Sequence, residues 1–486
     1  MDSSSVEKID VTAVNKKENR SLYVKREKIH PKKATGSFRR LKWIIMGITL
    51  AIYYITPWIR WDRGVGAPDQ AVLVDIEHNR FYFFFIELWP QEVYYITGIL
   101  IVAALSLFLV TALFGRAWCG YSCPQTVWTD LFIFVERAIE GDRNARLKLD
   151  RAPMSFDKFQ KRFLKHTIWV AIGVVTGGAW VFYFADAPTL FRDLLTFEAG
   201  SVAYITVAIL TATTYVFGGL MREQVCTYMC PWPRIQGAMI DEESLSVTYH
   251  ALRGEPRGPH KKGDSWEGRG HCIDCNQCVA VCPMGIDIRD GSQLECITCA
   301  LCIDACDGVM EKIGLPKGLI SYDTYAGQNT AEPIKKQQVR FIRPRTLIYG
   351  FLLLLVGSIM LVTLLNRSEL DVNVIRDRNP LYVTLSDGTL RNGYTVKILN
   401  KTHDLRRFEI SVEGIEITSR WLQTEGHNEQ DLIVVVPGDA VSSVKLFVAA
   451  NAEQLAGKSS RDIAIVVKDL ANGNAERTET TFKGPR

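Results

Sequence analysis

Five apolar runs constrain this chain more than any other feature: Trp43–Ile59, Val93–Phe114, Thr167–Ala185, Val202–Leu220 and Thr346–Leu365. Each approaches the roughly 20 residues that a helix needs to cross a hydrocarbon core. A single segment satisfies its own backbone there only as a helix. Trp43, Tyr53, Tyr54 and Trp58 sit near the ends of the first run, where interfacial aromatics belong. The last run is free of charge and rich in leucine, with Leu352–Leu355, Leu361, Leu364 and Leu365. Charged stretches separate the runs, so the expected fold class is a multidomain membrane protein built on an α-helical bundle of five spans.

Basic residues predict the orientation of the spans. Lys25, Arg26, Lys28, Lys32, Lys33, Arg39, Arg40 and Lys42 precede the first span. Arg137, Arg143, Arg146, Lys148, Arg151, Lys158, Lys161 and Arg162 fill the loop before the third, and Lys335, Lys336, Arg340, Arg343 and Arg345 precede the fifth. The stretches 60–92 and 186–200 are poor in bases. The N-terminus and the long loop 221–345 are therefore expected in the cytoplasm and the tail outside. The polar N-terminal stretch is too long for the charged region of a cleavable signal. A net charge of +4 over 486 residues speaks against nucleic acid as a partner.

The exported tail reads as β-structure. Tyr394, Val396 and Ile398 alternate with polar residues, as do Val444, Leu446 and Val448, and Ile463, Ile465 and Val467. Asp387-Gly388, Asn392-Gly393 and Pro437-Gly438 read as turns between the runs. Around seven short strands suggest an all-β sandwich of immunoglobulin type. It carries no cysteine and no catalytic constellation, which favours a docking or spacer role.

Chemistry resides on twelve cysteines. Cys272, Cys275, Cys278 and Cys282, followed by Pro283, show the C-x2-C-x2-C-x3-C-P spacing of bacterial ferredoxins, and Cys296, Cys299, Cys302 and Cys306 repeat it. In two-cluster ferredoxins the fourth cysteine of each run serves the other cluster. Cys272, Cys275, Cys278 and Cys306 are accordingly assigned to one [4Fe–4S] cluster, and Cys296, Cys299, Cys302 and Cys282 to a second. Zinc sites space their ligands differently, and disulfides are disfavoured in a reducing cytoplasm. Asp307 stands where a proline would follow the second run. His271 adjoins the first cluster as a hydrogen-bonding neighbour, and His166 is expected to cap the third span.

The other four cysteines form a repeat. Cys119-Gly120-Tyr121-Ser122-Cys123-Pro124 follows the second span and Cys226-Thr227-Tyr228-Met229-Cys230-Pro231 the fourth. The recurrence suggests an internal duplication. Pro124 and Pro231 are expected to open new helices, gathering the thiols at helix N-termini. There the dipole, with Arg116 or Arg222 nearby, would favour thiolate. Sulfur selects Cu(I) and other soft ions, and Met229 offers a thioether. A soft-metal or redox thiol site is the leading reading of Cys119, Cys123, Cys226 and Cys230. Packing cysteines and a metal cluster shared by both pairs are the alternatives.

The expected organisation is a basic cytoplasmic segment at 1–40 and a region of four spans with both C-x-Y-x-C-P motifs at 41–250. A cytoplasmic dicluster ferredoxin-like domain at 251–330, a linker with the fifth span at 331–366 and an immunoglobulin-like domain at 367–486 follow. This combination resembles the cytochrome c oxidase accessory protein family (CcoG, also called FixG or RdxA). The stretch Cys282-Pro283-Met284-Gly285-Ile286-Asp287-Ile288-Arg289, running on through Glu295-Cys296-Ile297 to Cys306-Asp307, is similar to that family's signature. The resemblance implies a multi-pass protein of the bacterial inner membrane with its last domain in the periplasm. It also implies reduction of Cu(II) to Cu(I) for copper chaperones and the assembly factors of a cbb-type oxidase. Cys119, Cys123, Cys226 and Cys230 would then handle copper, with electrons from an unidentified donor. A quinol dehydrogenase subunit resembling the NapH group, or a non-enzymatic redox scaffold, remains the alternative.

Overall fold

A computed structural model describes residues 6–15, 27–64, 67–260, 265–324, 340–424, 427–429, 432–455 and 458–485, with backbone alone at 424 and 427–429. Lys25, Arg26, Lys335 and Lys336 lie outside the described residues. The chain divides into two compact units, Met1–Trp61 with Gln70–Met360, and Asp62–Asp69 with Leu361–Arg486.

Among the described residues five helices are long and apolar enough to cross a membrane: Ser37–Trp58, Pro90–Phe114, Phe156–Val181, Ser201–Met221 and Pro344–Leu365. The third starts at Phe156, well ahead of the apolar run. Ser155 caps it by accepting from the Lys158 backbone N–H, and Asp157 pairs with Lys161 at 2.8 Å. Those first turns are amphipathic and cationic, so hydropathy alone missed them. His166 therefore lies inside this helix rather than capping it, and its Nδ1 is 2.8 Å from the Tyr215 hydroxyl. The fourth helix ends as a π-helical stretch, Tyr215–Met221. Such bulges concentrate near functional sites, and this one runs into the second cysteine motif. Strands Val72–Asp75, Arg80–Phe83 and Ile86–Leu88 form a small antiparallel sheet between the first two long helices.

Strands Ser246–Tyr249 and Ile320–Asp323 pair antiparallel at the two ends of the eight-cysteine insert. The insert's core holds Val279, Ile303, Val309, Met310, Leu319 and Ile320. The N-terminal segment is part of it. Ile9 N–H bonds the Cys275 carbonyl (3.1 Å), Asn15 N–H the Gly285 carbonyl (3.1 Å) and Lys32 N–H the Ala280 carbonyl (2.8 Å). A weak period-two alternation of Ile9, Val11 and Ala13 in an otherwise polar stretch was the one signal of this strap.

The second unit is a two-sheet antiparallel sandwich. One sheet runs His427–Glu429, Ser419–Thr424, Ala440–Ala450, Leu390–Asn400, Leu370–Arg376, with Val383–Thr384 also on Leu390–Asn400. The other runs Ile433–Val436, Arg406–Glu413, Ser460–Asp469, Ala475–Lys483. The alternating residues fill its core, Tyr394, Val396 and Ile398 among them. There are more strands than the expected seven, because short edge pieces such as Val383–Thr384 carry no alternation. Asn392-Gly393 is not a turn. It lies inside Leu390–Asn400, with the buried Asn392 amide bonded to the backbone of Lys483 (2.8 and 2.9 Å).

Candidate metal centres

The two ferredoxin runs repeat their backbone as well as their spacing. Asp274 and Asn276 flank Cys275 with φ of 50° and 57°, and Thr298 and Ala300 flank Cys299 with φ of 52° and 60°. Two left-handed residues around the middle cysteine curl each loop around one centre. Short helical segments follow, Gln277–Ala280 bearing Cys278 and Leu301–Lys312 bearing Cys302 and Cys306.

These elements enclose two apolar cavities. Cys272, Cys275, Cys278 and Cys306 line one, with Ile273, Val309 and Met310. Cys282, Cys296, Cys299 and Cys302 line the other, with Ile286, Ile297 and Leu301. Cys278 touches both. Each assigned foursome thus shares one cavity, and the donor set fits an iron–sulfur cluster. Burial pushes Cys278 and Cys282 up to about 12 and Cys296 up to about 11. A bound metal removes that penalty by replacing the proton with its own charge. Backbone N–H groups donate to these sulfurs, Thr298 to Cys296 at 3.4 Å and Met284 and Ile286 to Cys282. Beside the first cavity Arg289 is held by Asp274 (2.9 Å), Asn276 (2.8 Å) and Asp287 (2.7 Å). His271 accepts from Arg253 Nε at 3.0 Å.

The C-x-Y-x-C-P segments share their entry and exit geometry, although Ala117–Tyr121 is α-helical and Val225–Met229 π-helical. Gly115 (φ 57°, ψ −126°) and Arg222 (φ 47°, ψ −112°) stand at matching positions ahead of Cys119 and Cys226. Cys123 (ψ 129°) and Cys230 (ψ 122°) then turn the chain into the helices Pro124–Glu140 and Trp232–Met239. The backbone N–H groups of Gln125 and Thr126 donate to the Cys123 sulfur, as a helix N-terminus would.

All four of these thiols lie in one electrostatic neighbourhood. Cys226 feels Cys123, Cys119 and Cys230, and Arg116 feels Cys119, Cys226, Cys230 and Cys296. Among the described residues no three sulfurs lie within 4.8 Å of one another. No single ion is therefore gripped by three of them as the side chains stand. The expected thiolates would have to form against burial. Burial raises Cys119 to about 11 and Cys226 to about 12, outweighing Arg116. Arg222 is turned away, to Glu136 (2.8 Å) and the Gly219 carbonyl (2.8 Å). Met229 is half-exposed.

The thiol site abuts the second cavity. Cys119 and Cys226 pack on the apolar cluster of Ile286, Ile297, Cys299 and Leu301, together with Cys282, Cys296 and Cys302. A Cβ at Gly120 would lie 2.6 Å from the Ile297 carbonyl oxygen and 3.0 Å from Cys299 Cα, so this approach requires glycine. Arg116 spans the junction, donating to the carbonyls of Leu294 and Cys296 (the latter 2.9 Å) and to Gln236 Oε1 (3.4 Å). Gln236 escaped the sequence reading because it matches no motif.

A 4Fe-4S dicluster domain model matches residues 221–325, a 4Fe-4S binding domain model 96–140, and a model of the IG-like fold at the C-terminus of FixG 360–485. The nitrogen fixation protein FixG of Rhizobium meliloti is 52% identical, over 99% of this chain and 98% of its own length. The chain belongs to the FixG family. Two further relatives come from Cereibacter sphaeroides. RdxB is 54% identical over 96% of this chain and 98% of its own, and RdxA 51% over 88% and 90%. With its five apolar helices, this FixG-family chain is a membrane iron–sulfur redox protein ending in an immunoglobulin-like domain. The dicluster match begins early enough to include Cys226 and Cys230, and the match at 96–140 contains Cys119 and Cys123.

Proposed function

We propose that this FixG-family protein reduces Cu(II) to Cu(I) at the site formed by Cys119, Cys123, Cys226 and Cys230. Cys272, Cys275, Cys278 and Cys306 would hold one [4Fe–4S] cluster and Cys282, Cys296, Cys299 and Cys302 the other. The observation that supports this reading is the packing of Cys119 and Cys226 against the second foursome, with Gly120 on the Ile297 carbonyl. When bound, such clusters supply electrons singly, which suits a one-electron couple. The chain's own part is to hold the ion on sulfur, which favours Cu(I) over Cu(II). Apolar walls keep water from the junction, and the Arg116 guanidinium offsets the negative charge that thiolates would bring there. The protein sits in the bacterial inner membrane, with N-terminus, insert and thiol site cytoplasmic and the sandwich periplasmic. Copper chaperones and cbb-oxidase assembly factors receive the product, and an unidentified donor restores the electrons.

Metal analysis of anaerobically purified protein tests this. About eight irons per chain are expected, four for each foursome, and half of that or less refutes the assignment. After chemical reduction the protein should form Cu(I) from Cu(II) under anaerobic conditions. Replacing Cys226 and Cys230 by serine should abolish copper retention and leave the iron intact. The 4Fe-4S match at 96–140 favours a second reading, in which the four thiols hold a third cluster. That reading requires about twelve irons, falling to about eight in the serine variant.

A further inference from the structure

Gln236 lies on the Trp232–Met239 helix with no exposed surface. Two neighbours determine which end of its amide points where. The Thr111 hydroxyl already donates to the Leu107 carbonyl (2.7 Å), so toward Gln236 it can only accept, and Nε2 donates to it at 3.3 Å. At the other end Oε1 accepts from Arg116 Nε (3.4 Å) and from the Cys119 thiol (3.1 Å). A flipped amide would set its N–H groups against the Arg116 N–H. A buried carbonyl oxygen is thereby aimed at the Cys119 sulfur. The cluster-assigned Cys296 and Cys282 receive backbone N–H groups instead, as does Cys123, whereas Cys119 faces an acceptor.

We propose that Gln236 Oε1 is an oxygen ligand for the copper ion held at Cys119, which makes the membrane-motif site a mixed sulfur–oxygen site. This rests on the copper reading above and names the ligand that admits the oxidised ion. Cu(II) prefers nitrogen and oxygen donors, while Cu(I) prefers sulfur. No three of the described sulfurs lie within 4.8 Å of one another, and the amide adds a harder donor 3.1 Å from the Cys119 sulfur. Cu(II) would bind the Gln236 oxygen and the Cys119 sulfur, whose thiol proton leaves to solvent, and one electron from the reduced cluster of the second foursome would leave Cu(I) on sulfur. The amide stays neutral throughout, and Thr111 and Arg116 keep its oxygen facing inward.

The test uses the full chain in detergent, anaerobic, with copper alone as ligand. Gln236→Leu should raise the KM for Cu(II) about 10-fold or more while Cu(I) affinity, from chelator competition, changes less than about threefold. Copper-edge X-ray absorption of freeze-quenched samples should lose an oxygen scatterer in that variant. Gln236→Glu keeps an oxygen in place and should return KM to within about threefold of the wild type. Thr111→Val removes the acceptor that fixes the amide and should give an intermediate KM, a check that survives if Gln236→Leu loses its iron. If Gln236→Leu and Thr111→Val keep the wild-type KM and oxygen scatterer while Cys119→Ser loses copper, the ligand assignment is wrong and the copper reading stands. If Cys119→Ser and Cys226→Ser bind copper as the wild type does, the copper reading itself falls.

Discussion

The two C-x-Y-x-C-P segments share a local code and perform different work. In the first, Gly120 and Tyr121 are buried, and Gly120 lies on the Ile297 carbonyl of the insert. In the second, Thr227 and Tyr228 take the matching places, and Tyr228 is 62% exposed. The first segment has Gly115 at the positive-φ position and Arg116 reaching across to Cys296. The second has Arg222 in that strained conformation, tied to Glu136 on the helix behind. Both repeats lay a cysteine, Cys119 or Cys226, against the insert, and one of them also packs its glycine there. The other is anchored in the helical bundle and leaves its tyrosine and methionine outward. The duplication brings four thiols into one neighbourhood, and its divergence leaves the first repeat's glycine against the insert and the second repeat's tyrosine outward.

The anchoring of the second repeat should be the most costly to break. Glu136 is fully buried and pairs with Arg222 (2.8 Å), Arg146 (3.2 Å), Lys165 (3.4 Å) and Lys28 (3.4 Å). Burial alone would raise its pKa, but the cations, Arg222 foremost, outweigh that and hold the carboxyl well below the usual range. Glu136→Gln removes the shared counter-charge of Arg222 and Arg146, while Lys165 keeps Glu140 (2.8 Å) and Lys28 keeps Asp150 (3.8 Å), and about 3 kcal/mol of stability should go with it. Thermal unfolding of the iron-loaded protein reads the loss. A depressed pKa contributes stability that is full above the unfolded value of about 4.3 and lost as pH falls toward the folded one. Acidifying from pH 7 to 5 should therefore leave the gap between wild type and Glu136→Gln unchanged. A gap that closes over that range would show Glu136 to be neutral in the native protein.

The docking of the first repeat predicts the next largest effect. Gly120→Ala pushes a methyl group into the Ile297 carbonyl, with backbone on both sides and nothing flexible to yield. Overpacking of this kind costs about 1–3 kcal/mol, so Cu(II) reduction should slow about 10- to 100-fold while iron content is kept. Thr227→Ala, at the matching place, should stay near the wild-type rate. Equal slowing in both would mean that the repeats are not divided in their duties.

Much of this was legible in the chain, and what was missed shares a cause. The two-cluster ferredoxin pattern put Cys306 with the first run and Cys282 with the second, and those foursomes line the two cavities. The repeat points to a common thiol site because identical segments after like spans end at like positions. Gln236, Arg116 and the Ile9–Ala13 strap act through partners more than a hundred residues away in the chain, and no local pattern marks them. Arg116 was read as favouring thiolate, but burial of the thiols outweighs it. Asn392-Gly393 carries a strong local turn signal that its pairing with Lys483 overrides. The difference between Gly120 and Thr227 stood in plain view, and only the neighbouring Ile297 carbonyl gave it meaning.

The tyrosines give the finest test of the same division. The Tyr121 hydroxyl lies 3.4 Å from that of Tyr322, which donates to the Thr298 carbonyl (2.6 Å) in the loop between Cys296 and Cys299. Tyr121→Phe removes one long, part-buried hydrogen bond and keeps the ring, so the stability loss should be at the low end of about 0.5–1.5 kcal/mol. Its stronger signature should be spectroscopic, since Tyr322 would lose a neighbour that helps to set its hydroxyl against the second cysteine loop. A small shift in the electron paramagnetic resonance of the reduced second cluster is expected, and none from Tyr228→Phe, whose ring is exposed. If Tyr228→Phe perturbed that signal as much as Tyr121→Phe, both repeats would be touching the electron source, and the asymmetry between them would be one of exposure alone.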